Sequence, residues 1–288
     1  MAEPISPPDE RTELHHAVRR NRRRTIGALA AAAAVVLLVG VVVVLLAGLG
    51  LIGVLVVVVL AAAVAALAYR SAGRVALTVV GARPAEGRDT PRLHNLTEGR
   101  CIAGGLPKPA LHVVDDDALN AFTAGASPKH AVLVVTTGLL RALNRVELEG
   151  VLAQELSHIK AHDSTSASVA VVALAGPVLL ADAGRRPGAS ALVRPAVVLG
   201  VLAPLAGWAL RHAVDPRREL DADTAGVRLT RYPPGLASAL TKLRDGGTVV
   251  GRATRATEPL WLAEPVEHAA TFGVHPPLDE RIRALEAL

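Results

Sequence analysis

Gln154, Glu155 and His158 fall within one short run, VELEGVLAQELSHIKAHD, from Val146 to Asp163. Their spacing is that of H-E-x-x-H, in which two histidines one helical turn apart hold zinc and the glutamate beside the first takes a proton from water. Here the first histidine position is filled by Gln154. A carboxamide oxygen is neutral, harder than an imidazole nitrogen and an uncommon partner for zinc, although its reach is similar. The residues alone allow two interpretations: a hydrolytic metal site with one altered ligand, or an amphipathic helix whose polar face carries Glu and His.

The chemistry requires a helix, and the sequence supplies one. Asn144 is placed to cap it, Glu147 to close a capping box, and Leu148, Val151, Leu152 and Ile159 recur at helical spacing. At about 100° per residue, positions 154 and 158 stand one above the other with Glu155 beside them. His162 lies one turn beyond His158, giving a second i, i+4 pair on which a metal would sit about 6 Å further along, away from Glu155.

A second acidic stretch, Arg218-Glu219-Leu220-Asp221-Ala222-Asp223, follows Asp215-Pro216 and reads as the start of another helix. Glu219 and Asp223 are one turn apart, so Glu219 is a candidate third ligand and Asp223 a carboxylate that orients a ligand. The alternative is a solvated acidic face paired with Arg217 and Arg218. Asp115, Asp116 and Asp117 read as a solvated turn, because three adjacent carboxylates diverge.

The rest of the chain must position these groups, and composition places part of it in lipid. Of 288 residues, 51% are hydrophobic and only 2% aromatic, with mean hydropathy +0.38. The net charge of +5 lies largely beside apolar runs, so anionic lipid headgroups rather than nucleic acid are the expected counter-charge. The single Cys101 excludes an intramolecular disulfide and fits a reducing compartment. Residues 1–25 read as a disordered basic tail and 26–69 as two membrane helices turning at Gly48-Leu49-Gly50. Arginines flank both ends of this hairpin and none lies in its turn, so both ends are expected to face the cytoplasm. Residues 167–210 form a second apolar region, interrupted by prolines and by Arg185 and Arg186, and are expected to be a membrane hairpin or a buried helical pair. Between and after these, 74–163 and 211–288 read as a globular domain. Its strands are expected at Leu111–Val114, Ala121–Thr123 and Ala131–Thr136.

Four segments in order carry a resemblance: NAFTAG at 120–125, HAVLVVTTGLLRALNRVELEGVLAQELSHIKAHD at 130–163, RRELDAD at 217–223 and HPPLDERIRAL at 275–285. They resemble the membrane-bound zinc endopeptidases that include HtpX and the CAAX prenyl proteases, from about Pro107 to the C-terminus. The resemblance implies a mainly α integral membrane protein: a zincin-like α+β metallopeptidase domain of the gluzincin type, with a small β-sheet and transmembrane helical hairpins. It implies Zn2+ as cofactor, Glu155 as general base, His158 and Glu219 as zinc ligands, and Asp223 as supporting carboxylate. It also implies His275 near the site, either donating to a reacting carbonyl or bracing Pro276-Pro277. Gln154 stands where the family has its first histidine, which implies weakened metal affinity. Two functions follow: a zinc metalloendopeptidase of the cell membrane that cuts cytoplasm-facing or membrane polypeptides, or an inactive pseudopeptidase that binds peptide in the same cleft.

Overall fold

The structure, a computed structural model, describes residues 10–185, 188, 190, 194, 197, 201, 203–215, 217–267 and 273–288. Two helices fill the apolar N-terminal run, α1 (Glu10–Leu46) and α2 (Gly50–Val80), paired as a hairpin. Their large side chains point outward, with Leu38 69%, Leu45 71% and Ile52 77% exposed. Water would penalise so much contiguous apolar surface, and a bilayer would not. A third helix, α6 (Asp163–Arg185), is also long and apolar enough to cross a membrane. Of the expected return arm, the described part is α7 (Ala203–Ala213), 11 residues. Arg186 and Pro195 of the expected hairpin lie outside the described residues.

The N-terminal tail corrects an expectation. Residues 10–25, read as disordered, are the first turns of α1. Their partners come from far along the chain, where sequence-local reasoning does not reach. Asn21, 3% exposed, donates to the carbonyl of Ala161 at 3.0 Å. Arg24 pairs with Asp215 at 3.0 Å, Arg20 with Asp221 at 3.4 Å, and Glu13 with Arg228 at 3.1 Å. The 37 residues of α1 span about 55 Å at 1.5 Å each, against a hydrocarbon core of about 30 Å. The excess length is what lies along the globular domain.

That domain holds a four-stranded sheet in the order β1-β2-β4-β3. Strands β2 (Ala110–Val114) and β4 (Ala131–Thr136) pair in parallel, β3 (Ala121–Gly125) runs antiparallel to β4, and β1 (Arg83–Pro84) is a short edge that the sequence did not announce. Asp115 forks onto Arg83 at 2.9 Å through both oxygens, Asp116 accepts from Ala118 and Gly251 N–H, and Asp117 contacts Arg141. The acidic triplet is therefore turn and surface. The outer edge of β3 is partly covered by the chain itself: Leu262 N–H donates to the Ala121 carbonyl at 2.8 Å, and the Phe122 and Trp261 rings pack at 60° to one another with centroids 4.7 Å apart.

Helix α5 (Arg145–Lys160) crosses the domain's centre, its Leu148, Val151, Leu152, Leu156 and Ile159 all buried. Around it stand α3 (Pro91–Gly104), α4 (Thr137–Ala142), α8 (Arg218–Thr230), α9 (Pro233–Gly246) and α10 (Leu278–Glu286). The expected capping box is present: Asn144 Oδ1 accepts from Val146 and Glu147 N–H at 2.9 and 3.0 Å, and Glu147 accepts from Asn144 N–H at 2.8 Å. The helix ends earlier than its sequence suggests. His162 adopts φ of 60°, a left-handed conformation that stops an α-helix, and α6 starts at the next residue.

Candidate metal centre

Helix α5 carries Gln154, Glu155 and His158 on its buried face, exposed 0%, 1% and 4%. Helix α8 brings Glu219, 0% exposed, against them. The two helices approach closely because position 226 is glycine. A Cβ there would lie 2.8 Å from both Cα and N of Gln154, so any larger side chain would wedge the helices apart. Glu219, Asp223 and Gly226 fall at i, i+4 and i+7, one stripe of α8 that faces α5.

Nε2 of His158 and Oε2 of Glu219 lie 3.6 Å apart. Two donors on a tetrahedral ion, each about 2.1 Å from it, stand roughly 3.4 Å from one another. The amide nitrogen of Gln154 sits between them, 2.8 Å from His158 Nε2 and 3.2 Å from Glu219 Oε2. Glu155 lies beside Thr123 of β3, and its Oε2 is buried without a hydrogen-bond partner among the described residues.

Asp163 has a role its sequence position hid. Its two oxygens lie 2.8 and 2.9 Å from Nδ1 of His158, so Nδ1 carries the proton and Nε2 is left with its lone pair toward Glu219. This is the carboxylate–histidine arrangement that fixes a ligand's tautomer and orientation. Asp223, expected to orient a ligand, instead grips Arg281 through both oxygens at 2.7 and 2.8 Å, and Arg281 reaches Glu219 Oε2 at 3.3 Å. Arg218 meets the other oxygen of Glu219 at 3.0 Å. Neither arginine stands out in the sequence as part of the site. Arg281 lies inside the HPPLDERIRAL segment, and a run of two carboxylates and two arginines reads as a surface helix, although the fold buries Arg281 completely.

Burial works against a charge on Glu219, but His158, Arg218 and Arg281 outweigh it and hold its carboxyl well below the usual range. For Glu155 burial dominates, helped by the neighbouring Glu219, and lifts its pKa to about 7. Burial opposes a charge on His158, while the carboxylates of Asp163 and Glu219 favour one and raise its pKa; the donor amide of Gln154, 2.8 Å from Nε2, works against that second proton. The pocket thus draws positive charge toward Nε2. In this arrangement Nε2 bears no proton, since its partner at 2.8 Å is an amide nitrogen with only N–H to offer. A proton on Nε2 would require the amide to turn its oxygen inward.

Two other histidines were candidates. His162 lies past the end of α5 in its left-handed turn, so the helical i, i+4 pair that it was expected to form with His158 does not exist. His275 places Nε2 at 2.8 Å from the carbonyl of Glu258, and its Nδ1 is buried without a hydrogen-bond partner among the described residues. Burial lowers its pKa to about 4, so near neutrality the ring has one N–H, given to Glu258. That bond ties His275 to the 3-10 turn Arg255–Leu260.

The donors present can be tested against a divalent cation. Gln154 Oε1 and Glu155 Oε2 are buried and accept no hydrogen bond from the described residues, a deficit that an ion or water removes. Four buried carboxylates, on Glu155, Asp163, Glu219 and Asp223, gather here with the buried guanidinium groups of Arg218 and Arg281 and the His158 ring. His158 and Glu219 therefore fit an ion, by spacing and by charge. Among the described residues no third His, Cys, Asp or Glu joins them in a metal-holding group, and the third neighbour is Gln154. It fits with its oxygen inward; an amide nitrogen has no lone pair to give.

Comparison with known proteins places the chain among peptidases. The chain is 37% identical over 253 residues to a protease HtpX homolog of Dictyoglomus turgidum, covering 83% of each chain. A protease HtpX homolog of Tropheryma whipplei is 38% identical over 258 residues, 84% of this chain and 89% of that one. The crystal structure of S. mikatae Ste24p matches 71% of this chain and 52% of that chain at 16% identity and a TM-score of 0.39, too slight a likeness to carry the fold. Residues 88–288, a stretch that includes α5, α8 and Arg281, match peptidase family M48, and the chain belongs to that family.

Proposed function

We propose that the protein is a membrane-anchored zinc metalloendopeptidase that cleaves peptide bonds of polypeptides presented at the cytoplasmic face of the cell membrane. The observation that carries this reading is the convergence of Glu155, His158 and Glu219, with Asp163 behind the imidazole, in a family of peptidases. The arginines flanking the first hairpin support the cytoplasmic orientation, and the apolar surfaces of α1 and α2 support the bilayer as partner.

His158 and Glu219 would hold the zinc, with Gln154 as a third, weaker donor through Oε1. When bound, the ion supplies Lewis acidity toward a carbonyl and brings water to a pKa near neutrality. The chain's own residues do the rest. Asp163 keeps Nδ1 of His158 protonated and the ring in line. Arg218 and Arg281 hold Glu219 ionised in a place where burial alone would protonate it. Glu155, with its pKa about 7, is matched to taking a proton from the attacking water and handing it to the departing amine at neutral pH.

A second reading, a pseudopeptidase that binds peptide without cutting it, is favoured by one observation: the amide of Gln154 turns its nitrogen toward both ligands. The full-length protein in detergent, given zinc and a fluorescently labelled unfolded polypeptide, separates the two. The enzyme reading expects cleavage that chelator removes and that Glu155→Gln lowers about 10^2- to 10^4-fold. Binding of the polypeptide with no cleavage at saturating zinc would establish the second reading.

A further inference from the structure

Gln154 does more than fail to be a histidine. Its amide offers two N–H groups to two buried acceptors, His158 Nε2 at 2.8 Å and Glu219 Oε2 at 3.2 Å, one from each of two helices. An ion shared by His158 and Glu219 would join the same pair of atoms. We propose that the Gln154 carboxamide takes the ion's place as the link between His158 and Glu219, so that the pair stays assembled without metal and an ion loads only when the amide has turned its oxygen inward. The inference rests on the reading of His158 and Glu219 as the cation site.

The physical case is a matter of unpaired groups. A carboxylate oxygen and an imidazole lone pair held 3.6 Å apart in a buried site repel one another unless something positive or protic bridges them; Arg281 reaches the same Oε2 at 3.3 Å, and the amide supplies the bridge to the ring. A histidine at 154 would present a lone pair to the ion but could not donate to both acceptors at once, since a neutral ring carries one N–H. The carboxamide can. Its unpartnered Oε1 is the atom that half a turn about the terminal bond would bring to face an ion. Loading therefore exchanges two hydrogen bonds for coordination by a weak oxygen donor, and affinity falls accordingly.

Thermal unfolding and zinc titration of the full-length protein in detergent, at one pH and with zinc chloride as the probe, test this for wild type, Gln154→His and Gln154→Leu. Wild type is expected to melt at the same temperature with and without chelator, and to bind zinc at least about 10- to 100-fold more weakly than Gln154→His. Gln154→His is expected to melt lower in chelator and to recover with zinc. Gln154→Leu, which can neither donate nor coordinate, is expected to melt at least about 2–4 °C below wild type in chelator. A Gln154→Leu protein as stable as metal-free wild type overturns the link while leaving the cation site standing. Zinc held by wild type as tightly as by Gln154→His also overturns it. If Gln154→His takes up no zinc at all, the site reading falls and the inference falls with it.

Discussion

Both carboxylate oxygens of Asp163 lie within hydrogen-bonding distance of Nδ1 of His158, at 2.8 and 2.9 Å. The two residues belong to different helices, α5 and α6, joined by the left-handed turn at His162. The turn folds the start of α6 back against the end of α5, and this places the carboxylate behind the ring.

Replacing Asp163 by Asn tests that relationship. An amide can donate to Nδ1, which would move the ring proton to Nε2 and cost the lone pair that faces Glu219. In the Gln154→His background, where zinc affinity is high enough to titrate, Asp163→Asn is expected to weaken zinc about 10- to 100-fold. Competition against a zinc-binding dye measures this. Unchanged affinity would mean that Asp163 does not set the ring's tautomer.

Gly226 gives a stability prediction with its own control. An alanine methyl there meets the backbone of Gln154 at 2.8 Å, and backbone cannot step aside as a side chain can. Gly226→Ala is expected to cost about 1–3 kcal/mol and to loosen the seat of Glu219. Gly99 is exposed in α3, and a methyl added there would find no atom within 4 Å. At that position the same change should stabilise by about 0.4–1 kcal/mol through the unfolded chain. Melting temperatures that move the same way in both variants would contradict the close-approach argument.

How much of the fold and site is legible in the sequence differs from residue to residue. Helix α5 is legible because its determinants are local: Asn144 and Glu147 close the cap, and the apolar stripe repeats within one turn. Glu219 is legible as a candidate through its spacing from Asp223, but not as a buried group, because the arginines that neutralise it act through the fold. Arg281 meets Asp223 from 58 positions away. Asp163 is hidden by a backbone event: a continuous helix would have carried it off the His158 face, and the turn at His162 returns it. The basic run Arg19–Arg24 reads as a tail because its acidic partners, Asp215 and Asp221, are about 190 to 200 residues distant; sequence proximity carries no trace of such pairs.

The cap on α5 makes a pH-dependent prediction. Burial works against the charge on Glu147, but Lys242, the N–H of Asn144 and the hydroxyl of Ser238 outweigh it and lower its pKa below the ordinary 4.5. A depressed carboxylate contributes stability that is fully present above its unfolded pKa and is lost as pH falls through its folded one. Glu147→Gln keeps a capping side chain but loses the charge paired with Lys242 at 2.7 Å. With Lys242 half exposed, the loss near pH 7 is expected to be about 1 kcal/mol. Denaturant unfolding at pH 7 and at successively lower pH should show the gap to wild type closing below pH 4.5. A gap that is constant across that range would assign the effect to shape rather than to charge.

The N-terminal helix is coupled to the site through one side chain. Asn21, on the stretch of α1 beyond what a bilayer needs, donates to the carbonyl of Ala161, which follows the last helical residue of α5. That carbonyl belongs to the turn that sets Asp163 against His158, so holding it steadies the imidazole from behind. Asn21→Ala removes the donor and leaves a part-buried acceptor to water, a loss of about 1 kcal/mol. If the coupling is local, amide exchange should quicken in residues 161–166, where Ser166 N–H donates to His162 at 3.2 Å, and should stay unchanged in the sheet. Arg20→Ala serves as the contrast, because its pair with Asp221 is exposed on both sides and such pairs contribute at most about 1 kcal/mol. Equal exchange at 161–166 in wild type and Asn21→Ala would detach α1 from the site and leave it a membrane anchor alone.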